Sequence, residues 1–475
     1  MMRSDALVGQ PLLTPTSIDP MQPLAQRPRL FTLAWPLFLE LLLGIGVGVV
    51  GTALAARLSD SAGAGFALAN HVTGMLFMLF RVIGAGVGVV ITQSLGAGRR
   101  QEADAVARAV LGASSWIGIG TAAVALLAAP GLLALMQAPA DVLPLAVPLL
   151  QALAPALMLD AWNASMASVM RAHLHARDTL GVMVLMHGVH LLLAGPLMLG
   201  LAGWQGLGLP GFALALIIAR SLALALHLLL WRHRLQLVPR ASDWWRLPRR
   251  ELAAVAHIGL PGAAENAAYR LAFLVSVVVA ASLGAQALAT HAYAMQIIYL
   301  VLLFGLSTGL SAEIVIGHLI GAGRLHEAHR LVRQALARGL AVSVLVAGAA
   351  ALAGPWLLQL FTDDPSIIRA ASVLLWLTVL LEPGRTFNLV VINALRAAGD
   401  ARYPVLAGAA SMLVVLAGGS WLLGSEAGLG LGLPGVWLAY ALDEWLRGLL
   451  MWRRWARLDW VPHARASRRR LAQPA

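Results

Sequence analysis

Twelve apolar runs constrain this chain more than any other feature, because each is long enough as a helix to cross the roughly 30 Å of hydrocarbon in a bilayer. They lie near 33-56, 66-95, 107-129, 143-170, 179-201, 207-231, 256-281, 288-318, 334-354, 367-395, 403-424 and 431-452. Lipid offers no hydrogen bonds to a backbone, so such runs must satisfy their own N–H and C=O groups as helices. Hydrophobic residues make up 59% of the chain and charged residues 12%, with a mean hydropathy of +0.78, far beyond what a soluble core needs. Cysteine is absent, which excludes disulfides, thiol nucleophiles and thiolate metal sites. All 34 basic residues are arginine, so neither a P-loop lysine nor a Schiff-base mechanism is available. Any work done across the membrane would draw on a gradient.

The net charge of +12 and the pI near 11.3 come from arginines that fall between the runs rather than along one stripe, so they do not point to nucleic acid. Connections after even-numbered runs carry Arg99, Arg100, Arg171, Arg177, a group from Arg232 to Arg250, Arg324, Arg330, Arg396 and Arg402. Those after odd-numbered runs carry Arg57 and Arg369 among acids such as Asp60, Asp363 and Asp364. The positive-inside rule then places both termini in the cytoplasm of a multi-pass protein of a bacterial inner (plasma) membrane. Residues 1-30 are polar and Pro-rich without an A-x-A-like cleavage site, which reads as a cytoplasmic tail.

Sliding the chain against itself gives matches at one offset, 225 residues. GAGRRQEADAVARAVL at 96-111 meets GAGRLHEAHRLVRQAL at 321-336 with eight identities in sixteen. Pro36 meets Pro261, Glu40 meets Glu265, Pro130 meets Pro355, Asn163 meets Asn388 and Arg171 meets Arg396. One residue is lost before the last run, where GLPG at 208-211 meets GLPG at 432-435. A duplicated unit of six spans enters the membrane from the same side in both copies. The expected fold is therefore an all-α membrane protein, with twelve transmembrane helices in two tandem six-helix lobes related by a pseudo-two-fold axis along the membrane normal. An N-lobe would cover 31-233, a cytoplasmic linker 234-254, a C-lobe 255-457 and a cytoplasmic tail 458-475, with a binding cavity between the lobes.

WPLFLELLLGIGVGVVGTALAARLSD at 35-60, the two GAGR loops, IGLPGAAENAAYRLAFLV at 258-275 and NALRAAGDARYPV at 393-405, in this order and spacing, resemble the MATE family of multidrug and toxic compound extrusion transporters. The resemblance covers residues 31-457. It implies a secondary transporter without a cofactor that exports organic, often cationic compounds in exchange for inward-moving H⁺ or Na⁺. Several family positions are altered here. The family's aspartate near the end of span 1, in a D-T dipeptide, falls on Gly51 before Thr52. Polar positions of span 5 fall on His187, His190 and Ala194, and the span 10 aspartate of sodium-type members falls on Arg385. The span 7 glutamate falls on Tyr269, with Glu265 one helical turn earlier on the same face.

An ionisable group in a span costs roughly 3 kcal/mol or more on insertion scales, so each is a functional suspect. Glu40 and Glu265, each four residues after a helix-opening proline, are the first candidates for proton or cation coupling; the plainer reading is a structural carboxyl bonded to backbone freed by the proline. His187 and His190 share a helix face and can form either a proton relay or polar glue between helices. Asp160 and Arg385 are repeat equivalents, with Asn163 and Asn388 one turn on; they form either an inter-lobe gate or unrelated local pairs, such as Glu382 with Arg385. Tyr269 and Arg270 complete the expected cavity and gating set, and no metal site is expected. His173 and His175 read as solvated loop residues, and the Gly-rich strings at 44-51 and 84-90 as close helix packing.

The expected function is a MATE-like efflux antiport of cationic or amphiphilic xenobiotics by alternating access, coupled to H⁺. Its partners are a small organic substrate, H⁺ or Na⁺, and the lipid bilayer, with no nucleic acid and a monomeric chain. The alternative is a flippase for a lipid-linked saccharide or other amphiphile. A membrane enzyme lacks any H-E-x-x-H, nucleophile elbow or clustered Asp motif, and a channel lacks a filter-like repeat.

Overall fold

Every expected run is helical, and the ends of the helices follow local chemistry. The computed structural model describes residues 30–472 apart from Gln137 and Ala202, so most of the expected N-terminal tail lies outside the described residues. The first lobe holds α1 (Leu30–Ala56), α2 (Asp60–Gly96), α3 (Arg100–Leu127), α4 (Leu143–Ala152 and Ala154–Ala172, bent by 43° at the break), α5 (Ala176–Leu199) and α6 (Leu209–Leu230, extended by a π turn at Trp231–Leu235). The second holds α7 (Arg249–Ser282), α8 (Ala285–Gly321), α9 (Leu325–Leu352), α10 (Pro365–Ala397), α11 (Arg402–Gly424, with a π turn at Met412–Ala417) and α12 (Gly432–Ala456). Ser59 caps α2 by accepting from the Ala62 N–H at 3.0 Å. Asp364 caps α10 by accepting from Ser366 N–H at 2.8 Å. Gly98 and Gly323, equivalent in the two GAGR loops, both take φ +75°, a left-handed turn that favours glycine. Leu174, equivalent to Gly399 at φ +83°, takes φ +67° without that freedom.

Among the described residues, ten single helices, and an eleventh counted as the bent α4, are long and apolar enough to cross a membrane. The twelfth expected span, α12, has the length at 25 residues but carries Asp443, Glu444 and Arg447 in its middle. All three are buried, so the charges face the interior of the lobe rather than lipid. Large apolar side chains such as Leu345, Leu406 and Leu413 stand on the outside, as a hydrocarbon solvent permits.

Each lobe has its own apolar core. In the first, Phe66, Leu133, Leu149, Leu157 and Phe212 pack together, and toward the GAGR end Ile91, Leu111, Met170 and Trp231 do so. In the second, Val279, Ile298, Leu375 and Trp437 correspond to the former, and Ile316, Val332, Val390 and Trp455 to the latter. The lobes meet where α1 and α2 pack on α7 and α8. There Thr92 and Gly317, equivalent in the repeat, touch: a Cβ on Gly317 would lie 2.1 Å from Thr92 Oγ1. Equivalent residues meet only on the axis relating the copies, so the pseudo-two-fold passes through this contact.

Two connections are more ordered than their polarity suggests. The linker docks on α3: Trp116 Nε1 donates to Trp245 O at 3.1 Å, and Trp244 packs edge-on to Trp162 with centroids 5.1 Å apart. The expected C-terminal tail contains a helix, α13 (Val461–Ala472), anchored by Trp460, which is fully buried and stacks on Trp455 at 4.2 Å. Arg454 ion-pairs with Asp400 beside it.

Candidate functional site

At the end that carries both GAGR loops, the lobes are closed by a reciprocal pair of hydrogen bonds. Gln93 Nε2 of α2 donates to the Ala397 carbonyl at the end of α10, at 2.7 Å. His318 Nε2 of α8 pairs with the Ala172 carbonyl at the end of α4, at 2.9 Å. Gln93 and His318 are repeat equivalents, as are Ala172 and Ala397, so the two bonds are images of each other across the axis. Glycine makes the approach possible: a Cβ on Gly96 would lie 2.1 Å from His318 O, and one on its equivalent Gly321 2.1 Å from Gln93 O. Leu33, Leu37 and Ala176 of the first lobe seal the same seam against Ile314 and Val315 of the second.

Next to the seam stand Glu40 and Glu265, each buried one turn after a proline inside its helix and each in an ion pair. Arg171 Nη1 lies 3.0 Å from Glu40 Oε2, and Thr179 Oγ1 donates to Glu40 Oε1 at 2.6 Å. Arg396 pairs with Glu265 and reaches Asn393 Oδ1 at 3.5 Å. The acids and the arginines are both repeat equivalents, so this is one clasp made twice, tying α1 to α4 and α7 to α10. Glu265 has no counterpart of the Thr179 hydroxyl, because Pro404 stands there. Beside Arg396, Glu313 of α8 is buried with Oε1 lacking any partner, and Arg396 Nε also lacks one.

Asp160 and Arg385 do not meet. Each finds its partner inside its own lobe, on the sixth helix of that copy. Asp160 pairs with Arg220 of α6, and Arg385 Nε lies 3.3 Å from Glu444 Oε1 of α12. At the offset of 224 residues that holds for the last span, Arg220 is the equivalent of Glu444. The same ion pair is therefore present in both lobes with its charges exchanged. The asparagines repeat too: Asn163 Nδ2 donates to Arg220 O at 3.0 Å and Asn388 Nδ2 to Glu444 Oε2 at 2.9 Å. His227 Nδ1 lies 3.0 Å from Asn163 Oδ1.

The second lobe adds further charge. Arg385 Nη1 lies 2.5 Å from Glu382 Oε1, and Arg447 Nη2 lies 2.7 Å from Asp443 Oδ2 and 2.9 Å from Glu444 Oε1. Ser411 Oγ donates to Asp443 Oδ1 at 2.7 Å. Three carboxyls thus meet two guanidinium groups, an excess of one acid in a buried network. In the first lobe Glu40 and Asp160 each have an arginine of their own. Tyr269 stacks on Phe273, which stacks on Tyr440, whose hydroxyl lies 2.6 Å from Ser276 Oγ. Arg270 is exposed. Glu313 and the charges of α12 are absent from the expected site residues, although acids inside apolar runs are the signal that finds them.

In the first lobe the altered family position is filled by aromatic rings. A Cβ on Gly51 would lie 2.6 Å from Phe66 Cζ and 2.9 Å from Phe212 Cε2. Phe66 and Phe212 meet edge to face at 4.8 Å, and His190 meets Phe212 in the same way at 4.7 Å. His187 and His190 are both buried, and neither ring nitrogen of His190 nor Nδ1 of His187 has a hydrogen-bond partner. Outside the spans, His173 is half-buried rather than solvated: its Nδ1 lies 2.9 Å from Val169 O, and burial holds its pKa below the usual histidine value.

The MatE family model matches the chain twice, over residues 36–194 and 261–421, and the two matches begin one repeat apart. The chain is 32% identical over 432 residues to the uncharacterized transporter YisQ of Bacillus subtilis, covering 91% of this chain and 94% of that protein. It is 26% identical over 428 residues to a probable multidrug resistance protein NorM of Aromatoleum aromaticum, covering 87% and 90%. Its fold is similar to a crystal structure of MATE in the bent conformation, with a TM-score of 0.83 at 19% identity over 93% of this chain and 97% of that one. The Vibrio cholerae MATE transporter VcmN in the bent form gives 0.80 at 20% identity, covering 92% and 97%. Two six-helix lobes around one axis, a family model matched once in each lobe and the identity to YisQ lead to one conclusion: this chain belongs to the MATE family of membrane transporters and is not an enzyme.

Proposed function

We propose that the chain exports organic cations or amphiphiles by alternating access, as a monomer, in exchange for protons that load in the second lobe. The observation that carries this reading is the acid excess in the network of Glu382, Arg385, Asp443, Glu444 and Arg447, facing a first lobe whose family acid position is the closely packed Gly51. A surplus carboxyl among fixed guanidinium groups is a place where a proton can arrive and leave without stranding a charge. Arginine at the span 10 position of sodium-type members works against a sodium site there, because a fixed cation repels another. The arginine-rich GAGR end is the cytoplasmic one on this reading, so the closed seam shuts the cytoplasmic side. The name of the NorM relative supports a drug-like substrate.

Uptake of the organic cation ethidium into inverted vesicles, under an imposed pH gradient or an imposed sodium gradient, tests the reading. Accumulation should follow the pH gradient and ignore sodium. Transport that persists when the pH gradient is collapsed, but stops when sodium is withdrawn, would overturn it. Within this reading Glu265 is a coupling residue and Glu40 its weaker counterpart, since only Glu40 holds a hydroxyl donor as well as an arginine. Glu265→Gln should therefore flatten the pH profile of transport while Glu40→Gln shifts it less. An unaltered profile in the Glu265 variant would leave the carboxyl a purely structural role.

A further inference from the structure

Arg396 ion-pairs with Glu265 and reaches Asn393, the residue on which Gly309, one turn before Glu313, packs. It holds Glu265 of α7, while its Nε and the Oε1 of Glu313 on α8 are both buried without a partner. Glu313 lies at the rim of the seam. Gly309, one turn before it, packs on Asn393 and Leu389 of α10, and Gly317, one turn after it, packs on Thr92 of α2. Its neighbours Ile314 and Val315 pack on Leu33, Leu37 and Ala176 of the other lobe. A carboxylate closed into such a seam with one oxygen unsatisfied is costly, whereas the same group carrying a proton is not.

We propose that Glu313 is a second proton-carrying carboxyl and that it shares Arg396 with Glu265, the guanidinium pairing with one while the other holds the proton. This rests on the proton-coupled reading above and adds a residue and an order of events to it. In the state seen here Arg396 pairs with the Glu265 carboxylate and Glu313 is protonated. A proton arriving on a Glu265 oxygen releases Arg396, which turns to Glu313. The Glu313 O–H bond then breaks and its proton leaves into water at the GAGR end as the seam opens. One proton enters, one leaves, and each state has a single carboxylate beside the single arginine, so the buried charge does not change.

α1, α2, α7, α9 and α10 pack against α8, and α9 brings His329, Arg330, Arg333 and Arg338. From α10 there is Arg396, and from α7 there is Glu265 through Arg396. Across the seam α2 presents Thr92 and Gln93, and α1 presents Glu40, held by Arg171 and Thr179. On α8 itself, His318 is engaged with the Ala172 carbonyl.

Infrared difference spectroscopy of the full chain in lipid vesicles at neutral pH tests the proposal without any transport substrate. The protonated-carboxyl C=O band of the wild type should lose one component in Glu313→Gln. The same component should vanish in Glu265→Gln, because a neutral residue 265 frees Arg396 to ionise Glu313. Glu313→Asp, which retains a titratable group, should keep a shifted band, and the amide band of each variant reports whether it is folded. A spectrum unchanged by Glu313→Gln would overturn the proposal. So would a Glu313 band that survives Glu265→Gln, since the arginine would then not be shared. Either failure leaves proton-driven transport by the wild type intact, and a wild type driven by sodium alone would instead remove the reading beneath.

Discussion

Single positions show how closely the function of this protein depends on what surrounds a residue. By the family resemblance Gly51 falls where a span 1 acid is expected, and the rings of Phe66 and Phe212 leave no room there for even a methyl group. Gly51→Asp should therefore not restore a coupling acid. Overpacking plus an unpaired carboxyl should cost about 2 to 4 kcal/mol, seen as a lower melting temperature in detergent, and a variant of wild-type stability that becomes sodium-dependent would contradict this. The exchanged ion pair makes a second prediction. Removing one partner, as in Arg220→Ala, strands Asp160 in the lobe and should cost about 3 to 5 kcal/mol. The reversal Asp160→Arg combined with Arg220→Asp copies the arrangement of Arg385 and Glu444 and should recover much of that loss. If the double reversal is no more stable than the single Arg220→Ala variant, the two lobes do not use the pair interchangeably.

At the scale of elements, the helices were legible and their partners were not. Pro36 and Pro261, each a turn before a glutamate, lie inside α1 and α7, where a proline frees a backbone acceptor. Nothing in the run itself tells which arginine such a helix will meet. The ends of the chain and the linker were harder to read, because charge and proline mask a few anchoring tryptophans. α13 is held by Trp460 against Trp455 and carries basic residues on its outer side. Trp460→Ala should cost about 3 to 5 kcal/mol, on the scale of a deleted buried aromatic, and expose α13 to limited proteolysis. Unchanged protease resistance would mean that the arginine contacts alone hold this helix.

For the whole molecule, the decisive feature is the closed seam on the axis. Gln93 and His318 reach the backbone of the opposite lobe through equivalent bonds, so removing both should favour the state open at the GAGR end. Each bond contributes about 1 kcal/mol, or roughly fivefold in the equilibrium. The chain has no cysteine of its own, which allows a clean readout. In a Thr92→Cys background, thiol labelling from the GAGR side should rise when Gln93→Ala and His318→Ala are combined. Labelling that stays slow would show that apolar packing alone keeps the seam shut.

The sequence by itself determined the helical runs, their duplication and the end at which the arginines gather, because hydrophobic length, internal offset and charge distribution are properties of a linear string. It also brought forward Glu40, Glu265, Asp160 and Arg385 as costly residues. Only the tertiary structure decided who pairs with whom. Asp160 with Arg220 and Arg385 with Glu444 depend on which helix of a six-helix lobe lies beside which, and the unpaired Glu313 depends on how the two lobes close on each other. In lipid a helix can be apolar nearly all round, so for most of these helices no stripe in the sequence points to a neighbour. That information exists only in the packing.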